Sequence, residues 1–273
     1  MGFSIGKNCQ IDPTAVINVR EGFLGDRSIV RAHTRIEGRK IEIGKEAFVD
    51  IGAVIGGGSC FDPSASLKAG DWLHLGMNSQ INIARGVEIG HEFGCGIESK
   101  IFTHGAYTDS YNLGAPSQWA SVKIGNQVWM PNAWVNPGVE IGDCVVIAAR
   151  SLVNKSIPSG CLAAGSPVKI IDSHYLPREL STSEKLKFIS EIKQVALERF
   201  VMDQVEVLPS YDVSFELDFI NVTFKEKSTQ FSLKLKTIEG NEFKLSYYIK
   251  DQLRRNGVRF RYLFDEERWQ KWE

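Results

Sequence analysis

Apolar residues return every six positions through roughly the first 160 residues of the chain. They fall at Ile5, Ile11, Ile17, Phe23 and Ile29, then at Ile43, Val49, Ile55, Phe61, Leu67 and Leu73, then at Ile83, Ile89, Cys95 and Ile101, with a late return at Ile141, Ile147 and Val153. A period of six fits neither the 3.6 of a helix nor the 2 of an ordinary strand. It fits short strands joined by tight corners, each turning one apolar side chain inward, and so predicts a parallel β-helix. Gly follows the apolar residue in Ile5-Gly6, Ile43-Gly44, Ile51-Gly52, Ile55-Gly56, Ile89-Gly90, Ile124-Gly125 and Ile141-Gly142. A corner there needs a residue tolerant of positive φ or of close backbone approach.

The texture changes after Asp172. Pro177 to Glu184 reads as a helix entrance, with Ser181 and Glu184 spaced as a capping box. Leu186, Ile189, Ile192, Ala196 and Phe200 continue a helical stripe to about Val201, and this helix is expected to cap the open end of the solenoid. Beyond it, Val213 to Leu217, Val222 to Lys225 and Phe231 to Leu235 read as strands and Ile238-Glu239-Gly240-Asn241 as a turn. Phe243 to Arg255 reads as a helix, and Val258 to Tyr262 as a last strand with Arg259 and Arg261 on one side. The predicted organisation is mainly β: a β-helix over 1–172, a linker and capping helix over 173–204, and a small β-rich C-terminal domain over 205–273.

A net charge of -1 over 273 residues gives no basic field for nucleic acid. The first ten residues already lie in the repeat and lack the layout of a signal peptide, and no apolar stretch approaches the roughly 18 residues of a membrane span. A cytoplasmic location is expected. Cys9, Cys60, Cys95, Cys144 and Cys161 are odd in number and contain no Cys-x-x-Cys pair, which disfavours a disulfide framework or a zinc knuckle. Cys95 keeps the apolar beat and reads as a small buried thiol.

The segments Ile124-Gly125-Asn126-Gln127-Val128-Trp129-Met130, Asn136 to Asp143 and Ala163-Ala164-Gly165-Ser166-Pro167-Val168-Lys169 resemble the closing coils of the hexapeptide-repeat acyltransferase family. The resemblance covers roughly the first 170 residues. It implies a left-handed β-helix, about three hexads per coil, and homotrimers with acyl-CoA bound between neighbouring subunits. The β-helix followed by a small β-rich domain is similar in architecture to a group of nucleotide-sugar N-acyltransferases of surface-glycan pathways. By that likeness Arg254, Arg255, Arg259 and Arg261 are placed to face a nucleotide diphosphate, the alternative being a domain that only stabilises the trimer.

Chemistry is expected where the repeat breaks, between Ile101 and Ile124, because loops on a rigid scaffold carry function. The family resemblance puts a histidine just after a coil's apolar residue beside the inter-subunit cleft, and His104 is the matching position. It would take the proton of an attacking hydroxyl or amine, a task suited to imidazole; the alternative is a histidine satisfied by a loop hydrogen bond. Glu98 and Asp109 flank it as candidates to orient the ring or to hold an ammonium group, although carboxylates on such coils are usually just solvated. Asn82, one coil earlier, is a candidate amide for a sugar hydroxyl. Tyr107, Tyr111 and Trp119 are candidate flat walls for a sugar or base, or simply loop packing. On the acyl-CoA side, Trp129, Ala149, Ala164 and Lys169 are the candidates: small residues let a pantetheine arm lie close, and the family often offers a cation to phosphate where Lys169 stands. Met130 to Val135 is one residue short of a hexad.

His33, His74, His91 and His174 read as surface or corner residues. They bear on one rival, a zinc-dependent carbonic anhydrase on the same fold, whose metal needs three imidazole ligands; no metal is expected. The resulting expectation is an acyl-CoA-dependent transferase acting on a nucleotide-linked amino sugar. The alternatives are O-acylation of a sugar hydroxyl and, in another class, a non-enzymatic solenoid scaffold.

Overall fold

Strands of the solenoid bury every second residue. Val87–Ile89, Val122–Ile124 and Ala133–Val135 each place one exposed residue between two buried ones. Strand geometry sends alternate side chains to opposite faces, so these strands send two residues inward, one more than the six-residue beat implies. In the computed structural model, which describes residues 2–106, 108–203, 212–224 and 226–262, the chain divides into two units, Met1–Arg178 and Glu179–Glu273.

In the first unit successive coils pair in parallel, forming sheets of 12 and 9 strands. The larger sheet covers two faces of the solenoid, because two long strands, Val16–Leu24 and Arg35–Ile43, run around one corner without a break. Arg35 and Ile36 pair with Val54 and Ile55, whereas Lys40 to Ile43 pair with Ser66 to Ala69. Three faces result. The first carries Ile43, Ala69, Ile89, Ile124 and Ile141 in register; the second carries Val49, Leu75, Cys95 and Met130. The third carries Ile55, Ile81, Ile101, Val135 and Val153. This is a parallel β-helix around one continuous apolar column. At its end Lys169–Asp172 turns back antiparallel onto Leu162–Ala164.

The early coils are one residue longer than three hexads. Ile17, Ile36 and Ile55 stack on one another, with equivalent positions 19 residues apart. The six-residue beat therefore slips: Leu24 is buried at 1% exposure while Phe23, expected inside, is 42% exposed. Val30 likewise takes the inward place assigned to Ile29. Cys95 is buried as expected, and burial pushes its thiol up to about 11, away from nucleophilic use.

In the second unit, Asp212–Glu216, Phe219–Phe224, Lys227–Ser232, Thr237–Gly240 and Arg261–Tyr262 form a five-stranded sheet in chain order. Ile238 to Asn241 was expected as a turn, but Thr237–Gly240 is a strand because Ile238 pairs opposite Phe231 and is buried. Helix α1 (Thr182–Met202) opens on the expected capping box of Ser181 and Glu184. Its Ile189, Ile192, Ala196 and Phe200 share one core with Phe231 and with Leu245 and Ile249 of helix α2 (Lys244–Arg255). The stripe expected to cap the solenoid is thus used inside the second unit, and the division falls after Arg178. Arg254 and Arg255, with Arg199, hold the buried Asp251 at 2.8 to 2.9 Å. Burial alone would raise that carboxyl, but the guanidinium hydrogen bonds win and hold it below the usual range. The Arg261 side chain lies outside the described residues. Among the described residues no helix is long and apolar enough to cross a membrane.

Candidate active site

The corner between the first and second faces repeats one device along the solenoid. A side-chain atom of each coil accepts the backbone N–H of the equivalent residue one coil before: Lys45 to Asp71, Asp71 to His91 Nδ1, His91 to Asn126, Asn126 to Asp143 and Asp143 to Ser159, at 2.6 to 3.0 Å. A Cβ at Gly44 or Gly125 would lie 2.5 Å from the Oδ1 of Asp71 or Asp143. These glycines therefore serve close approach. Positive φ at this corner falls instead on Arg27, Glu46, Gln127 and Cys144. A broad groove of about 1270 Å³ runs beside the ladder. Its one lining imidazole, His91, is already committed to the ladder through Nδ1, so the groove offers scaffold more than chemistry.

The corner between the third and first faces is different. Two insertions leave it, one between Val54–Gly56 and Ser66–Ala69, the other between Lys100–Ile101 and Val122–Ile124. The coil between them turns there through Asn82 to Arg85. Around this coil the polar groups converge. Asn82 is 3% exposed, and its Nδ2 donates to the carbonyls of Gly56 and Gly58 at 3.3 Å. Thr103 Oγ1 accepts from Arg85 N–H at 3.1 Å and donates to Asn82 Oδ1 at 2.6 Å. Two carbonyls on one side and a hydroxyl donor on the other fix the amide's orientation. His104 Nδ1 then meets Asn82 Oδ1 at 2.9 Å. An amide oxygen only accepts, so Nδ1 carries a proton, and in the neutral ring Nε2 keeps its lone pair. Among the described residues no hydrogen-bond donor meets Nε2, which faces the space beside Gly58, where an added Cβ would lie 3.9 Å away. An imidazole held in this way can act as a general base, with a buried amide to orient it.

The other expected site residues distribute unequally. Asn82 joins His104, but its amide is spent on the ring and the backbone, so it orients the imidazole where a sugar contact was expected. Trp119 joins too, stacked on His104 with centroids 4.6 Å apart. Asp109 is used locally: its oxygens accept from Tyr111 N, Asn112 N and Asn112 Nδ2. The side chain and backbone of Asn112 hold its carboxyl below the usual range. Tyr111 is 95% exposed, and Tyr107 lies outside the described residues. Glu98 sits at the corner between the second and third faces, in left-handed backbone, on a groove of about 650 Å³. That groove also takes Lys100, Asn132, Trp134, Arg150 and Ser166. Ala149 precedes Arg150 in the chain and Ala164 pairs with Lys169 on the closing hairpin, but none of these three expected acyl-CoA residues lines the groove. Trp129 is on the second face, its ring over Gly94. Among the described residues no group of three or more His, Cys, Asp or Glu is placed to hold a metal.

The chain matches no family model. It is 31% identical over 124 residues to a candidate lipopolysaccharide biosynthesis O-acetyl transferase of Escherichia coli (strain K12), covering 41% of this chain and 59% of that protein. It is 40% identical over 73 residues to the galactoside O-acetyltransferase of the same organism, covering 26% and 33%. The chain is similar to these acetyltransferases over part of their length. It spans less than two thirds of the length of these relatives. Among solved structures it is similar to AntD, an N-acyltransferase from Bacillus cereus in complex with dTDP and 3-hydroxybutyryl-CoA, at 17% identity and a TM-score of 0.44, over 72% of this chain and 91% of that one.

Three further residues stand at these two places, the groove and the His104 corner, of which the sequence had offered Arg150 as an alternative to Lys169 and had marked Trp134 at the shortened coil. Trp134 and Arg150 line the groove, and the shortened interval from Met130 to Val135 was the signal for the first. Arg85 carries its guanidinium over the Trp119 ring at 4.6 Å; a lone arginine before a corner glycine gave no signal.

Proposed function

We propose that this protein transfers a short acyl group from acyl-CoA to the amino group of a nucleotide-linked amino-deoxy sugar, with His104 as the general base. The observation that carries the reading is the His104 imidazole, held by Asn82 through Nδ1 and with no hydrogen-bond donor at Nε2 among the described residues. The acceptor amine, in its neutral form, attacks the thioester carbonyl; Nε2 takes a proton from the nitrogen as the C–S bond breaks, and returns it to the departing CoA sulfur. Amide and thiol form, and the imidazole ends as it began. Much of the rate comes from alignment of thioester and nucleophile.

The groove with Lys100, Trp134 and Arg150 supports acyl-CoA binding on the same face. Lys100 stands on the strand that leads into His104. Its cations suit phosphate and its indole a flat apolar partner. Relatives named for lipopolysaccharide and galactoside support a sugar acceptor. They also favour a second reading, transfer to a hydroxyl. Assembly as a homotrimer, with the groove completed by a neighbouring subunit, and a cytoplasmic location belong to the same proposal.

The test is thiol release from acetyl-CoA with a nucleotide amino sugar, the corresponding free amino sugar and a hydroxyl-only sugar side by side. A nucleotide supplies remote binding energy, so its removal lowers kcat as well as raising KM. Equal turnover on the free amino and hydroxyl sugars would return the acceptor to the simple sugar class. Light scattering checks the trimer.

A further inference from the structure

The second insertion does more than leave and return. Its two arms pair antiparallel at the corner, His104 opposite Trp119 and Gly105 opposite Gln118. That pairing lays the indole on the imidazole, with ring planes 13° apart. The indole is held in turn: its Nε1 donates to Ser117 Oγ at 2.9 Å, and Ala120 N–H donates to Thr103 O at 3.0 Å. Arg85 adds its guanidinium over the same ring. Arg85 is itself pinned from the first insertion and its own coil, donating through Nη1 to Ser64 Oγ at 3.0 Å and Ala84 O at 2.8 Å.

Arg85 therefore reaches His104 by two routes. Its backbone N–H orients the Thr103 hydroxyl that donates to Asn82 Oδ1, and its guanidinium holds the indole that covers the ring. An imidazole held by one hydrogen bond alone can pivot about it; a flat aromatic neighbour fixes the plane. We propose that Trp119 and Arg85 are positioning residues that hold the plane of His104, keeping Nδ1 on Asn82 and Nε2 toward the incoming acceptor. The inference deepens the reading of His104 as base and rests on it for its catalytic consequence. It also withdraws Trp119 from the walls expected for a sugar or base, because the indole is occupied by the ring it positions.

The experiment has a readout that does not depend on turnover. Uniform 15N labelling of the five histidines and a long-range proton–nitrogen spectrum report which ring nitrogen of His104 carries the proton, with His104→Ala identifying its signals. The wild type is expected to show the Nδ1–H tautomer. Trp119→Ala and Arg85→Ala are expected to give a mixture of both tautomers, and to lower kcat roughly 10-fold to 10²-fold, the scale of a displaced catalytic group, with the KM for acetyl-CoA unchanged. Trp119→Phe, which keeps a flat ring, should recover most of both, and Arg85→Lys part of them. These conservative variants keep the test open if either alanine variant fails to fold. A wild-type tautomer signal and kcat in Trp119→Ala overturn the proposal. An unchanged tautomer with a raised acceptor KM also overturns it and makes Trp119 a substrate wall. If His104→Ala keeps full activity while Trp119→Ala still mixes the tautomers, the positioning stands and the base assignment falls.

Discussion

At the glycine corner the coils repeat one geometry, whereas at the loop corner neighbouring coils differ. The first is held by a backbone-to-side-chain ladder that leaves no room for a Cβ at Gly44 or Gly125. The second holds two insertions, a buried asparagine and an imidazole bound to it through Nδ1. The same chain thus separates two arrangements along one solenoid: repetition supplies a regular frame, and interruption gathers the polar side chains on which the proposed chemistry rests. A substitution should reveal which corner it touches by whether it moves stability or rate.

The largest expected effect away from His104 itself is at Asn82. Asn82→Ala removes the acceptor for Nδ1–H and is expected to lower kcat about 10²-fold; a full-rate variant would show that the imidazole needs no orienting amide. At the glycine corner, Gly125→Ala forces a methyl against Asp143 Oδ1 and two backbone atoms within 2.7 Å. It should cost on the order of 1 to 3 kcal/mol of unfolding free energy, read by denaturant titration, while folded protein keeps its kcat. Arg150→Ala should weaken acetyl-CoA binding by about 1 to 2 kcal/mol if its guanidinium meets a phosphate oxygen; calorimetry showing unchanged affinity removes it from the groove. Gly105→Ala tests the contrast in the other direction. Nothing lies within 4 Å of its added Cβ, so stability should stay within about 0.5 kcal/mol.

The second unit offers a comparison by pH. The Asp251 carboxyl is held below its usual range by Arg254, Arg255 and Arg199 against the opposing effect of burial. A depressed folded value means the contribution is present above the unfolded value of about 4 and is lost as pH falls through the folded one. Acid unfolding followed by circular dichroism should weaken in Asp251→Asn, whose neutral amide has no such dependence.

What could be read from the sequence follows from the range of each cause. The β-helix was legible because its repeat is local and recurs, and the failure of the repeat marked the corner where His104, chosen by the family resemblance, lies beside Asn82 and Trp119. The slip from Phe23 to Leu24 was not, since one extra residue in a coil of 19 is hidden until the coils stack. The contact of Asn82 with His104 was not legible, because the two lie 22 residues apart, a coil's distance that no local pattern reports. Ile238 to Asn241 read as a turn, but the burial of Ile238 against the sheet overrides that local preference. The helix after Ser181 was visible through its capping box, while the core that its stripe joins was fixed only by packing with α2.

The most direct test of the account is His104→Ala, followed by acetyl-CoA binding and by thiol release with the acceptor sugars. The loop-corner account predicts unchanged acetyl-CoA affinity and thermal midpoint, with kcat lower by roughly 10²-fold to 10⁴-fold, the usual loss of a general base. A variant that binds acetyl-CoA and releases thiol at the wild-type rate would contradict it.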